Sequence, residues 1–410
     1  MIRYRAAWVL PVAGPPIRDG WVAVAQNRIV AVGQESDPAT PEHDLGEVVL
    51  MPGLVNAHTH LELSYLRGQV PPATAFVSWI RGVVGARRQR PDPNADDILD
   101  GVRAGIDEAV RTGTVLVGDI SNTLVTFEPL AGSALAGVVF YELLRFNAPD
   151  PSGLVEQACR QLDALPVHPS VRPSLAAHAP YSVAPLVFRA MRNAMDARPF
   201  VPCSVPLAES PEETEFIATG GGAWRTFLED VGAWDPSWVP PRTTPVQFLD
   251  DAGFLDRRVL AVHGVQMTSA DLARLVARDT TLVTCPRSNA HTGAGVPPVA
   301  AFYASGVRLA VGTDSLASTP DLNMFSELAA MRALAPDIPA SRLIRSATLD
   351  GARALGFDAE FGTLEAGKRA RLLTVTVPAS VTDVEEYLLS GIDPGQLAWA
   401  GEPAAPAPRP

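Results

Sequence analysis

Short apolar runs recur along the middle of the chain, separated by longer amphipathic stretches. The runs are Thr114–Asp119, Gly137–Glu142, Val171–His178, Phe200–Leu207, Val259–His263, Thr281–Cys285 and Val307–Asp314, and a further one ends at His58. They are rich in Val, Leu and Ala with little polar alternation, the pattern of strands covered on both faces of a parallel sheet. Between them lie helical segments such as Ala73–Gln89, with Phe76, Ile80, Val83 and Val84 on one side, and Asp97–Arg111. Eight strand–helix units predict a closed (β/α)8 TIM barrel over residues 51–356.

The two chain ends read differently. Trp21–Ala25 is strand-like, Gln26-Asn27-Arg28 is a turn, and Ile29–Val32 is the return strand. Beyond residue 356, Ala370–Val377 is strand-like again. Together they predict a small, discontinuous β-sandwich domain over 1–50 and 357–400. The Pro/Ala-rich end, 401–410, reads as a frayed tail. Thr219–Pro245 breaks the barrel rhythm: it holds three consecutive glycines, four prolines and Trp224, Trp234 and Trp238. It is too long for an ordinary connection, so it is a lid or a packed insertion.

Composition narrows the function classes. With 410 residues, 47% hydrophobic and 19% charged, the chain can bury a large core and is not disordered. A net charge of -12 argues against nucleic acid or an anionic membrane as the main partner and leaves a small-molecule substrate. No apolar run reaches the roughly 18 residues of a membrane span. Arg3–Gly14 has a basic flank and an apolar stretch, as a secretory signal does. It is short, contains a proline and runs into strand-like sequence, so it reads as folded chain. Three widely spaced cysteines, Cys159, Cys203 and Cys285, give neither a disulfide framework nor a CxxC zinc motif, so a reducing, cytoplasmic compartment is expected.

The chemistry concentrates at strand ends. In Asn56-Ala57-His58-Thr59-His60, residues two apart on an extended strand share a side, so His58 and His60 can face one metal ion. His178, His263 and Asp314 each end an apolar run. In a parallel barrel those ends open on one face, where catalytic groups converge.

Six segments, PGLVNAHTHLELS (52–64), AAHAPYS (176–182), LAESPEE (207–213), VHG (262–264), CPRSN (285–289) and GTDS (312–315), resemble the metal-dependent amidohydrolase superfamily, in its deaminase and chlorohydrolase branch. Within that branch the chain is most similar to deaminases of adenine-bearing nucleoside-like compounds, aminodeoxyfutalosine deaminases among them. The resemblance implies one divalent ion, zinc or else iron, bound by His58, His60 and Asp314. It implies that Asp314 accepts a proton from the attacking water and that Glu209 protonates the ring nitrogen beside the attacked carbon. It further implies that His263 hydrogen-bonds the water and that His178 touches substrate. A homodimer is the family-level expectation. Hydrolysis of a ring chloride or a cyclic amide stays open beside deamination.

One position departs from the family. The strand before Glu209 normally carries a third histidine ligand three residues earlier, and here that residue is Pro206. Cys203 falls on the opposite strand face, and Ser204 shares the face of Pro206 but is a poor ligand. A weakened or non-catalytic ligand-binding relative is therefore the second reading. Arg287, Ser288, Asn289 and His291 follow a strand end and are candidate substrate contacts, as are Glu62 and Ser64. Asp119 and Glu142 read as buried structural carboxylates, and Cys285 as a small buried residue.

Overall fold

The computed structural model describes residues 1–35, 41–199 and 201–401. Eight strands form one parallel sheet: β1 (Leu54–Thr59), β2 (Thr114–Ser121), β3 (Ala136–Leu143), β4 (Val171–Ala177), β5 (Cys203–Leu207), β6 (Val259–His263), β7 (Thr281–Thr284) and β8 (Arg308–Val311). Each coincides with one of the apolar runs, although Phe200 lies outside the described residues. The sheet runs in chain order from β1 to β8 and closes on itself just past β8. The Asp314 N–H donates to the His58 carbonyl over 3.0 Å, and Thr59 and Asp314 form a parallel bridge.

The two strand faces pack differently. Leu260, Val262, Val283 and Ala310 fill the barrel interior with Val138, Phe140 and Ala176, and Phe357 and Phe361 join them. The alternate residues, including Val259, Ala261, Leu282, Leu309 and Val311, pack outward with the helices, as do Cys203, Val205 and Leu207 on β5. This double burial is why the strands lack polar alternation.

Helix Phe76–Arg88 buries Phe76, Val77, Trp79 and Val83, and helix Asp96–Arg111 buries Ile98, Val102 and Ile106. Among the described residues, no helix is long and apolar enough to cross a membrane.

The chain ends build a separate seven-stranded mixed sheet. Ile17–Ala25 and Arg28–Gly33 are the antiparallel pair foreseen around Gln26 and Asn27. Those two residues take φ of 51° and 59°, the left-handed geometry of a tight hairpin turn. Val48–Pro52 pairs with Leu372–Thr376, which ties the two ends together. Of the tail 401–410, only Gly401 lies within the described residues.

Candidate metal centre and active site

The barrel seam carries the metal-type cluster. On β1, the Asn56 side chain donates to Thr313 Oγ1 at 2.8 Å and accepts from the Thr313 N–H at 3.0 Å. Gly312 makes the close approach possible: a Cβ there would lie 2.6 Å from the His58 carbonyl oxygen. One Asp314 carboxylate oxygen, Oδ2, accepts from Ser288 Oγ at 2.5 Å and Ser318 Oγ at 3.2 Å. The other, Oδ1, is left facing His60 Nε2 at 3.4 Å and His58 Nε2 at 3.8 Å. One ligand atom from each of His58, His60 and Asp314 lies within 4.8 Å of the others.

The residues fit a divalent ion. Both ring nitrogens of His58 are buried without a hydrogen-bond partner. An unmet buried polar group costs about 1–3 kcal/mol, and an ion would supply the partner. Two imidazole nitrogens and a carboxylate oxygen are donors that zinc accepts.

Glu209 sits beside the cluster, just after β5. The next helix, Pro211–Thr219, is capped by Ser210, whose side chain accepts from the Glu213 N–H. Glu213 reaches back, accepting from the Ala208 N–H at 3.0 Å and the Glu209 N–H at 2.8 Å. This clamp holds Ala208 at φ 52°, and His263 and Asp314 are also left-handed, at 76° and 61°. Such backbone strain persists only where surrounding bonds enforce it. Burial, then the charges of Asp314, Glu213 and Glu212, raises the Glu209 carboxyl well above the ordinary range, which favours its protonated form. Burial, with His60 and His178 nearby, lowers His263 to about 3, so its ring is neutral. Asn289 Nδ2 donates toward His263 Nδ1 at 3.1 Å and Glu209 Oε1 at 3.4 Å. A ring accepting at Nδ1 carries its proton on Nε2 and can donate from there.

A cavity of about 180 Å³ opens over these groups. His60, Glu209, His263 and Asp314 line it, with His178, Pro206 and Ser315. Its far wall is apolar, built from Phe76, Trp79, Ile80, Val83, Trp224 and Phe227. His178 bonds Ser182 through Nδ1, and burial, then Arg87, lowers its ring to about 4. The Thr219–Pro245 segment is a packed insertion. Trp224 lies flat on Tyr181, Trp234 stacks on Phe146 and Trp238 on Phe216.

Most other candidates lie outside the cavity. Arg287 does not line the cavity: its guanidinium is held by Glu327 at 2.7 Å and Asp321 at 2.9 Å. His291 Nε2 contacts the Val70 carbonyl at 3.1 Å, tying helix Pro286–Thr292 to the bend at Val70. Glu62 accepts from Ser121, Asn122, Thr123 and Arg87, which saturates it. Ser64 is buried under Gly105 of the second helix. Asp119 accepts from the Leu61 N–H at 2.8 Å, and burial raises it to about 7. Glu142 reaches the cavity and accepts from Asn122. Cys203 belongs to the outward-facing core and Cys285 to the barrel interior. Sequence reasoning missed Ser318, Glu213 and the aromatic wall. Tyr181 and Ser182, within AAHAPYS, carried the available signal.

A parallel barrel whose strand ends gather two imidazoles and a carboxylate around one point, with a buried acid alongside, defines a metal-dependent hydrolase. Residues 49–389 match the amidohydrolase family. The chain belongs to that family. It is 33% identical to an aminodeoxyfutalosine deaminase of Deinococcus radiodurans over 363 residues, which is 82% of this chain and 81% of that one. It is 30% identical to a 5-methylthioadenosine/S-adenosylhomocysteine deaminase of Moorella thermoacetica, over 90% of this chain and 83% of that one. An adenosine deaminase from Xanthomonas campestris, solved with bound zinc, superposes with a TM-score of 0.81 at 28% identity, covering 97% of this chain and 90% of that one.

Proposed function

We propose that this chain is a zinc-dependent deaminase of an adenine-bearing nucleoside-like compound. The observation that carries the reading is the convergence of His60, Asp314, Glu209 and His263 on a single cavity, with His58 grouped beside His60 and Asp314. The deaminase names of the relatives support the substrate class, and the zinc of the Xanthomonas campestris enzyme supports the metal. We place it in the cytoplasm, supported by three buried cysteines without a disulfide.

Zinc held by His58, His60 and Asp314 would lower the pKa of water from 15.7 to about 7, making a nucleophile available at neutral pH. Asp314 would accept the proton that water gives up. Glu209 would donate to the ring nitrogen beside the amino-bearing carbon, so that the ring takes up the developing negative charge. His263 would donate from Nε2 to the incoming oxygen. Oxygen would bond to the ring carbon, the carbon–nitrogen bond would break, the amino group would take the proton held by Asp314 and leave as ammonia, and the added hydroxyl would return a proton to Glu209 as it becomes the ring carbonyl. The aromatic wall would hold the substituent away from the reacting ring.

The test is ammonia release by zinc-loaded protein from a panel of adenine nucleosides with varied 5′ substituents, with chlorotriazines and cyclic amides alongside. Turnover confined to chlorotriazines or cyclic amides would replace deamination with that chemistry. Pro206 favours a second reading, a binding-only relative. Tight nucleoside binding with no turnover anywhere on the panel would establish it instead.

A further inference from the structure

We propose that Pro206 limits the ion to three protein ligands, two imidazoles and one carboxylate, and so makes it an exchangeable ion. The inference rests on reading His58, His60 and Asp314 as metal ligands.

The geometry of β5 carries it. Cys203, Val205 and Leu207 pack outward with the helices. Ser204 and Pro206 therefore face the barrel interior, since alternate strand residues share a side. Pro206 pairs with Val262, and Leu207 with His263, so Pro206 sits level with the top of β6. It lines the cavity together with His60, Glu209, His263 and Asp314. The interior position of β5 nearest the ligand cluster thus presents a pyrrolidine ring, which has no donor atom for a metal.

No neighbour fills the gap. Among the described residues, the ligand group is His58, His60 and Asp314 alone. His178 and His263 lie outside that group, with Nδ1 of each held by Ser182 and Asn289 respectively. Cys203 is on the wrong face, and Ser204 lies two residues deeper with a neutral hydroxyl.

The backbone accommodates the proline. The Cys203 N–H donates to Arg258 next to β6, and the Leu207 carbonyl accepts from Gly264, so the odd residues bond toward β6. The even ones turn toward β4, where the pairing shrinks to the single match of Ser204 with Ala176. The N–H that Pro206 lacks falls on that sparse side.

Metal-edge X-ray absorption on the zinc-loaded full chain counts the imidazoles. Two are expected in the unmodified protein and three in Pro206→His. Zinc affinity, from competition with a chromophoric chelator, should be about ten-fold or more tighter in Pro206→His, at least the scale on which outer-shell partners act. Pro206→Ala should keep two imidazoles and the weaker affinity. Three imidazoles in the unmodified protein would overturn the inference, and that measurement stands even if Pro206→His fails to fold. Equal tightening in Pro206→Ala would overturn it too, because the cause would be the backbone. Two imidazoles without ammonia release would leave this inference standing and sink only the deaminase reading.

Discussion

Trp224 lies face to face on Tyr181, with ring centroids 3.6 Å apart and planes 13° apart. The tryptophan comes from the insertion and the tyrosine from the loop after β4, so the stack fastens the insertion over the cavity. Trp224 is only 2% exposed and also meets Phe76 and Phe227. Trp224→Ala should cost about 3–5 kcal/mol of stability, as for other large buried aromatics. Urea unfolding would measure this. Nucleoside KM should rise more than kcat falls, because the proposed role of the wall is to hold the substituent away from the reacting atoms. A kcat loss with unchanged KM would refute that division of roles.

Glu209 stands outside the ligand group but within reach of Asn289, and next to His263 at 3.5 Å. Glu209→Gln keeps the shape and removes the transferable proton. The expected fall in kcat is about 10²–10⁴-fold, the usual contribution of a general acid. Zinc content by elemental analysis should stay the same. A Gln variant that loses zinc would make Glu209 a ligand and not an acid.

Ser288 is linked to the proposed metal site through Asp314. Its hydroxyl fixes Oδ2 and so turns Oδ1 toward the two imidazoles. Ser288→Ala should weaken zinc binding by about 10–100-fold, the effect of outer-shell partners on metal affinity. Ser288→Thr, which keeps the hydroxyl, should recover part of it. Chelator competition reads both, and unchanged affinity in the Ala variant would show that Ser318 suffices.

Gly312 is a steric requirement of closure. A Cβ would press on the backbone of His58, which cannot swing aside as a side-chain tip could. Gly312→Ala should cost about 1–3 kcal/mol, the range for overpacking. It should also lower zinc content, because the strand it displaces carries Asp314. Lost stability with full zinc content would show that the strain is absorbed elsewhere.

Glu327 gives a pH signature remote from the metal. Burial raises it from 4.5 to about 7, although Arg287 pulls the other way. The folded chain therefore holds a proton that the unfolded chain releases. The stability linked to that proton is fully present below about 4.5 and is lost as pH rises through about 7. The stability of the unmodified protein relative to Glu327→Gln should fall across that window. Urea midpoints at several pH values test it, and a flat difference would refute it.

The barrel was legible because its strands are apolar on both faces and change abruptly to polar residues at one end. His58, His178, His263 and Asp314 mark those changes, so convergence followed from strand direction alone. Ionic pairing across the fold was hidden. Arg287 looked available in CPRSN, but Glu327 and Asp321, more than 30 positions onward, occupy it. The insertion was equally opaque: three tryptophans suit a lid or a packed layer, and only Tyr181, Phe146 and Phe216 decide between them. Nothing in ESPEE singled out Glu213, yet the turn of Ala208 brings its carboxylate back onto the Ala208 and Glu209 N–H groups.

The seam has a consequence for biosynthesis. The Thr59 hydroxyl and the Asp314 carbonyl it holds are 255 positions apart, and every strand between must be laid down before they meet. A ribosome-bound chain that has reached β7 owns both imidazoles and lacks the carboxylate. Capture of the proposed ion would then be a late event in the life of the nascent polypeptide, and a full complement of it would certify that the last strand has docked.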